Sequence, residues 1–153
     1  MCAVLLICCS YLSYQFLTDN FSFVYVFENS NKFLPTFYKF SAFWSAHEGS
    51  FLLMILIMTL SMAFNNFFFW EKKWLPLSNA TIAFITFFYL IFLIFTSNPF
   101  LTFDVMPKNG TDLNPLLQDP LLVIHPPVLF SGYVFYAITF SLVIAGMFKG
   151  FEQ

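Results

Sequence analysis

Arginine does not occur in this chain: all six basic residues are lysines, set against eight carboxylates in 153 residues. Charge of either sign is scarce, at 9% of residues. A soluble domain carries nearer a quarter, because a small globule needs a hydrated surface. With 59% hydrophobic residues and a mean hydropathy of +0.78, the surface must face lipid or other protein. A net charge of −2 leaves no basic footprint for nucleic acid. Absent too are a glycine-rich phosphate loop, a Ser/His/Asp arrangement and paired carboxylates of catalytic type. The cysteines Cys2, Cys8 and Cys9 lack metal-type spacing or a CxxC pair and read as small buried hydrophobes. No basic n-region precedes them, so the N-terminus reads as a short retained span and not as a secretory signal. Phenylalanine supplies 25 residues, which with the missing arginine fits the AT-rich coding of an organelle genome.

Four apolar stretches organise the chain into an all-α integral membrane protein, read as a single transmembrane domain over residues 1–153. Ala3–Leu17 is short for a crossing, whereas Phe40–Phe64, Leu77–Ser97 and Leu121–Phe148 reach the roughly 20 helical residues a bilayer needs. Helices are expected because backbone polar groups in hydrocarbon must be satisfied within their own segment. In Trp70-Glu71-Lys72-Lys73-Trp74 two indoles anchor at the headgroups while the lysines reach water, which marks a span boundary. Lysines divide three against three, Lys72, Lys73 and Lys149 opposite Lys32, Lys39 and Lys108, so charge leaves the orientation open. Both histidines, His47 and His125, fall at span ends that open on the same face. The third span, nearly all large apolar residues, is expected to face lipid. Gly132, Ala137, Ala145 and Gly146 make the fourth the better surface for docking another subunit.

Two polar segments carry chemistry. In the connection before the last span, Asp112, Asn114, Gln118 and Asp119 lie among leucines and prolines, a composition that should lie on the membrane surface. Ile124-His125-Pro126-Pro127 follows, with the prolines expected in the first helical turn, where their missing donors cost nothing. A helix N-terminus disfavours imidazolium, so His125 reads either as an axial ligand for haem iron or as a capping interfacial histidine. His47 and Glu48 form the second candidate. Neighbours in a helix diverge by about 100°, so the pair cannot address one ligand unless the helix breaks at Gly49. They either face a partner or stand solvated at the interface. The sequons at Asn20, Asn79 and Asn109 fit chance in Asn-rich loops or, alternatively, a secretory-pathway protein.

Phe40–Leu53 (FSAFWSAHEGSFLL), Phe95–Phe100 (FTSNPF), Asp112–Pro120 (DLNPLLQDP) and Ile124–Tyr133 (IHPPVLFSGY) resemble, in order and rough spacing, successive motifs of the CcmF-type cytochrome c haem lyases. A more divergent match, Phe23–Pro35, extends the resemblance over about Asn20–Gly146. The resemblance implies that His125, the histidine of the His-Pro-Pro motif, is an axial ligand to haem on the outer face of the membrane, with Pro126 and Pro127 beside it. It implies no ligand role for His47. It also implies a Trp-rich WWD loop and further histidines in the family, none of which occurs between residue 1 and Gln153. The chain therefore reads as an N-terminal piece of a split lyase of the mitochondrial inner membrane, or alternatively of a bacterial inner membrane. The expected companions are WWD-bearing CcmF-like subunits, a CcmH-like subunit, a haem chaperone of the CcmE type and apocytochrome c, with no nucleic acid. The contribution expected here is haem positioning, since the attacking thiols belong to the substrate. A scaffold subunit without haem, or a channel piece with Glu48 lining a pathway, are the readings from other classes.

Overall fold

A computed structural model describes residues 1–150. Six α-helices occur among them: α1 (Cys2–Leu17), α2 (Val24–Asn29), α3 (Thr36–Ala42), α4 (His47–Phe69), α5 (Leu75–Thr96) and α6 (Pro120–Lys149). The helices α4, α5 and α6 are long and apolar enough to cross a membrane, and α1 is a shorter apolar helix. All-α architecture is thus as the composition requires, with one isolated antiparallel bridge, Phe23 to Thr102, as the extended pairing among the described residues.

Each helix buries one stripe. On α1, Leu5, Cys9, Leu12 and Phe16 recur at three- and four-residue intervals and pack in one core with Leu52, Ile55 and Leu56 of α4. A second core joins Met54 and Met58 of α4 to Ile82 of α5 and Val134 of α6. The third span does not simply face lipid. Phe84, Phe87, Phe88 and Phe95 are exposed, but Ser78, Ile82 and Thr86 form a buried stripe against both neighbours. The hydroxyls of Ser78 and Ser141 lie 2.8 Å apart between α5 and α6, and Thr86 Oγ1 donates to Met58 Sδ at 3.6 Å. Small hydroxyl residues let the helices close up and replace the missing glycines as glue. The small residues of α6 divide likewise: Ala145 is buried inside the bundle, whereas a side chain at Gly132 would meet open space.

The expected second span, Phe40–Phe64, is interrupted. The short helix α3 ends at Ala42, the chain reverses over Phe43–Ala46, and α4 starts at His47 and continues to Phe69. Two features hold this reversal. Tyr25, buried at 3% exposure, donates its phenol O–H to the Phe43 carbonyl at 3.0 Å and accepts from the Ala46 amide at 3.3 Å. Burial pushes that phenol well above its ordinary pKa, so it stays protonated and keeps donating. Gly49 supplies the second: a Cβ there would lie 1.6 Å from the Phe43 carbonyl oxygen.

The connections 18–46 and 97–119 meet at one end of the bundle and fold together as a cap. Val24 and Phe103 amides donate to the Leu101 and Ser22 carbonyls at 2.9 and 2.8 Å, and the Thr111 amide donates to Phe27 at 2.8 Å. Gly110 passes so close that a Cβ would stand 2.0 Å from the Ser30 carbonyl oxygen. Lys39, nearly buried, is paired with Asp19 at 2.6 Å. The loop before α6 therefore rests on protein, with Leu113 in the main core at 1% exposure.

Two of the helical glycines, Gly49 and Gly132, separate steric need from composition. Gly49→Ala must displace a backbone carbonyl, an overpacking cost of about 1–3 kcal/mol or more. We expect a lower melting temperature and a reduced steady-state level of the chain in its native membrane. Gly132→Ala, in open space, should leave both unchanged; equal losses in both variants would refute the close-approach account.

Candidate functional site

His125 lies one turn and a half inside α6. The helix starts at Pro120 and is capped by Asp119, whose Oδ1 accepts the Leu121 amide at 2.8 Å. Pro126 and Pro127 are consequently interior residues of the helix, not its first turn as expected from sequence. The helix-terminal field falls off within the first turn, so His125 lies beyond its reach. The interior prolines have a different consequence. Pro127 has no N–H to give the Val123 carbonyl four residues earlier, and a bare carbonyl at this depth is costly. The Trp44 indole fills the gap: Nε1 donates to the Val123 oxygen at 3.0 Å.

That bond crosses from the 43–46 reversal to α6 and fixes the rotation of the helix. Pro126 faces inward, sharing a small hollow with Ser41, Trp44, Ser45, Leu113 and Leu117. His125, one residue back, faces out. It lies in an open hollow of about 430 Å³ with Leu121, Ile124 and Val128, residues at helical spacing on one exposed face. Among the described residues no hydrogen bond or ion pair engages the His125 ring, so it caps no backbone group of this bundle.

The polar residues of the preceding loop are held by their own backbone. Asp112, at φ 93°, accepts the Leu113 amide at 2.8 Å. Asn114 accepts the Leu116 amide at 3.0 Å and caps a 3₁₀ turn at Pro115–Leu117, and Gln118 Nε2 donates to the Leu113 carbonyl at 3.0 Å. With Asp119 capping α6, all four side chains shape the ledge from which the His125 helix departs.

His47 and Glu48 are a separate site. They occupy the first turn of α4 and do meet, His47 Nε2 to Glu48 Oε1 at 3.5 Å, although adjacent helical residues were expected to diverge. The helix start, preceded by extended Ala46, allows it without a break at Gly49. His47 opens into a groove of about 380 Å³ between the spans, lined by Phe51, Tyr89, Phe130 and Tyr133 among others. The hollows of His47 and His125 share no residue. Sequence reasoning missed Trp44 and Tyr25. The signal for Trp44 was present: two interior prolines demand an outside donor, and indole is a donor only.

No group of three or more His, Cys, Asp or Glu able to hold a metal ion occurs among the described residues. The donor set at His125 is a single imidazole on an apolar shelf. It fits a metal that brings its own equatorial ligands in a flat hydrophobic frame, as haem does.

Comparison with known proteins is consistent with the family resemblance. Residues 44–152 match the family model described as cytochrome C assembly protein. The cytochrome c-type biogenesis protein CcmF of Pseudomonas fluorescens is 44% identical over 151 residues, covering 97% of this chain and 23% of that protein. CcmF of Escherichia coli is 41% identical over 139 residues, covering 88% and 21%, and CycK of Rhizobium meliloti is 38% identical over 141 residues, covering 91% and 21%. The chain thus spans less than a quarter of the length of these curated relatives. No solved structure matches it.

The Trp44 bond is testable by a double-mutant cycle. Trp44→Phe strands the Val123 carbonyl and should cost about 1–3 kcal/mol, read as a lower melting temperature of the native membrane complex. Pro127→Ala returns an N–H to that carbonyl, so the double variant should recover most of the loss. Strictly additive losses would sink the assignment.

Proposed function

This chain belongs to the cytochrome c assembly protein family, and from that premise we propose that it is one component of a cytochrome c haem lyase that positions haem for covalent attachment. The observation that carries the reading is the unbonded imidazole of His125 on the apolar shelf of Leu121, Ile124 and Val128. Haem is the cargo of this reaction. His125 supplies one axial bond to its iron, and the aliphatic side chains lie against the edge or face of the macrocycle. The Asp119 cap, the inward Pro126 and the Trp44 bond to the carbonyl freed by Pro127 hold the ring's position. The nucleophile is not in this chain. A thiol S–H of apocytochrome c adds across each haem vinyl group, its sulfur bonding one vinyl carbon while the proton ends on the other.

One imidazole and one shelf make half a site. The relatives are more than four times as long as the stretch matched here; in this reading a CcmF-like subunit bearing the WWD loop supplies the rest of the site, with a CcmH-like subunit and a CcmE-type chaperone delivering thiols and haem. The multi-pass chain would sit in a mitochondrial inner membrane, His125 on the outer face. The Arg-free, Phe-rich composition supports the organelle and the bacterial relatives support an inner membrane. His47 and Glu48 are left outside the haem site, since they open on another groove.

Purification of the native complex in mild detergent tests the reading through its haem spectrum, its companion subunits and the level of c-type cytochromes. His125→Ala should remove most of the haem absorbance and of the mature cytochromes, while His47→Ala retains the absorbance. A complex of respiratory-chain subunits, with a spectrum indifferent to His125, would make the chain a scaffold instead.

A further inference from the structure

A groove of about 600 Å³ runs along the outside of the bundle between α4 and α6, lined by Ile57, Leu60, Ser61, Phe64 and Asn65 on one side and Phe135 and Ile138 on the other. It lies toward the end of the bundle opposite the cap and shares no residue with the hollow of His125. Its walls are apolar, and Leu60, Phe64 and Phe135 are among the exposed large side chains. Its floor is not apolar. Asn65 is 8% exposed, and its amide nitrogen has no hydrogen-bond partner. One turn earlier, Ser61 turns its hydroxyl back onto the Ile57 carbonyl at 2.8 Å.

We propose that this groove seats one membrane-spanning helix from the part of the family's length that this chain does not contain, and that a hydrogen-bonding side chain of that helix pairs with Asn65. Three observations point to a helix. The groove extends from Ile57 to Asn65, about 12 Å of helix, which matches a crossing partner over two turns. Its floor carries a donor without an acceptor, the Asn65 amide, one turn inside the end of α4. A small residue at the floor between large side chains on the walls is the arrangement that lets a second backbone approach, and an amide is the group that holds it there. The relatives carry more than three quarters of their chain outside the matched stretch, a source for such a helix. A donor left unpaired in the isolated bundle is satisfied when the bundle is completed.

The inference rests on the reading that other polypeptides complete the assembly, but not on haem or on His125. A photo-crosslinking residue would be placed at Phe135 in the native membrane, and at the exposed Phe84 of α5 as a reference. The expected result is a crosslink from position 135, mapped by mass spectrometry to an apolar segment of a polypeptide similar to the unmatched part of the relatives, and none to that segment from position 84. Asn65→Leu should lower recovery of that polypeptide about three- to tenfold, the range for one interhelical hydrogen bond in a membrane. Leu60→Trp, which fills the groove, should lower it further. Crosslinks from position 135 to lipid alone, to a second copy of this chain or to a water-soluble segment would overturn the proposal, as would unchanged recovery in both variants. His125→Ala is run alongside. Recovery unaffected by His125→Ala together with intact cytochrome maturation would leave the groove standing and remove the haem reading, so the two fail separately.

Discussion

A carbonyl without its donor sets the geometry of this protein. Membrane helices are stable because each satisfies its own backbone, and α6 cannot: Pro127 withholds the N–H that Val123 requires. The donor comes from Trp44, across a sequence separation of 79 residues. Because the indole must reach that oxygen, the 43–46 reversal has to lie against the first turns of α6. That demand propagates. The reversal is tight enough to bring the Phe43 carbonyl onto Gly49, and it is held by the phenol of Tyr25 from the first connection. Rotation of α6 is settled by the same bond, so Pro126 turns toward Leu113 and Leu117 and His125 turns away from the bundle. The prolines beside the histidine are therefore orienting elements: they create the vacancy through which the rest of the chain grips the helix.

The cap makes that grip rigid. A short bridge between residues 22–24 and 101–103, the Thr111 and Asp112 amides on the carbonyls of Phe27 and Ser30, and the Lys39–Asp19 pair tie two long connections into one body. The loop before α6 would otherwise be free to sample many positions, and the entropy lost in ordering it is offset by these bonds and by the burial of Leu113. Its four polar side chains, which look like functional groups in the sequence, are consumed in local turns and caps. Their contribution is to place the start of α6.

Spans and fold class were legible because hydropathy and helix length are one-dimensional properties. Three features were not. The Phe40–Phe64 run hid a break, since Phe43 to Ala46 is as apolar as a helix interior and the turn is imposed by Tyr25 and Gly49, far away or reading as ordinary helix. The apolar stretch from Leu121 met the start of α6 at Pro120, but Pro126 and Pro127 were wrongly expected in its first turn because a proline pair suggests one, while Asp119-Pro120 upstream carries the better cap. The third span was read as lipid-facing for want of alanine and glycine, yet Ser78 and Thr86 serve as its close-packing residues. At the site, His125 was legible and its exposure was not: a one-residue difference in helical phase separates it from the inward Pro126, and that phase is set by the Trp44 contact together with the packing of Val134 and Ser141 farther along α6.

The exposed faces then acquire different meanings. Large apolar side chains on the outer side of α5 suit lipid and require no partner. The shelf around His125 and the groove at Asn65 differ because each contains a polar group without a partner in the bundle: an imidazole without a bond and an amide without an acceptor. Burying such groups against hydrocarbon is costly, so their persistence on otherwise apolar surfaces argues for occupants that complete them. The two lie on separate surfaces. One suits a metal that carries its own planar ligands, the other a helix with a hydrogen-bonding side chain, and these are the occupants proposed for them.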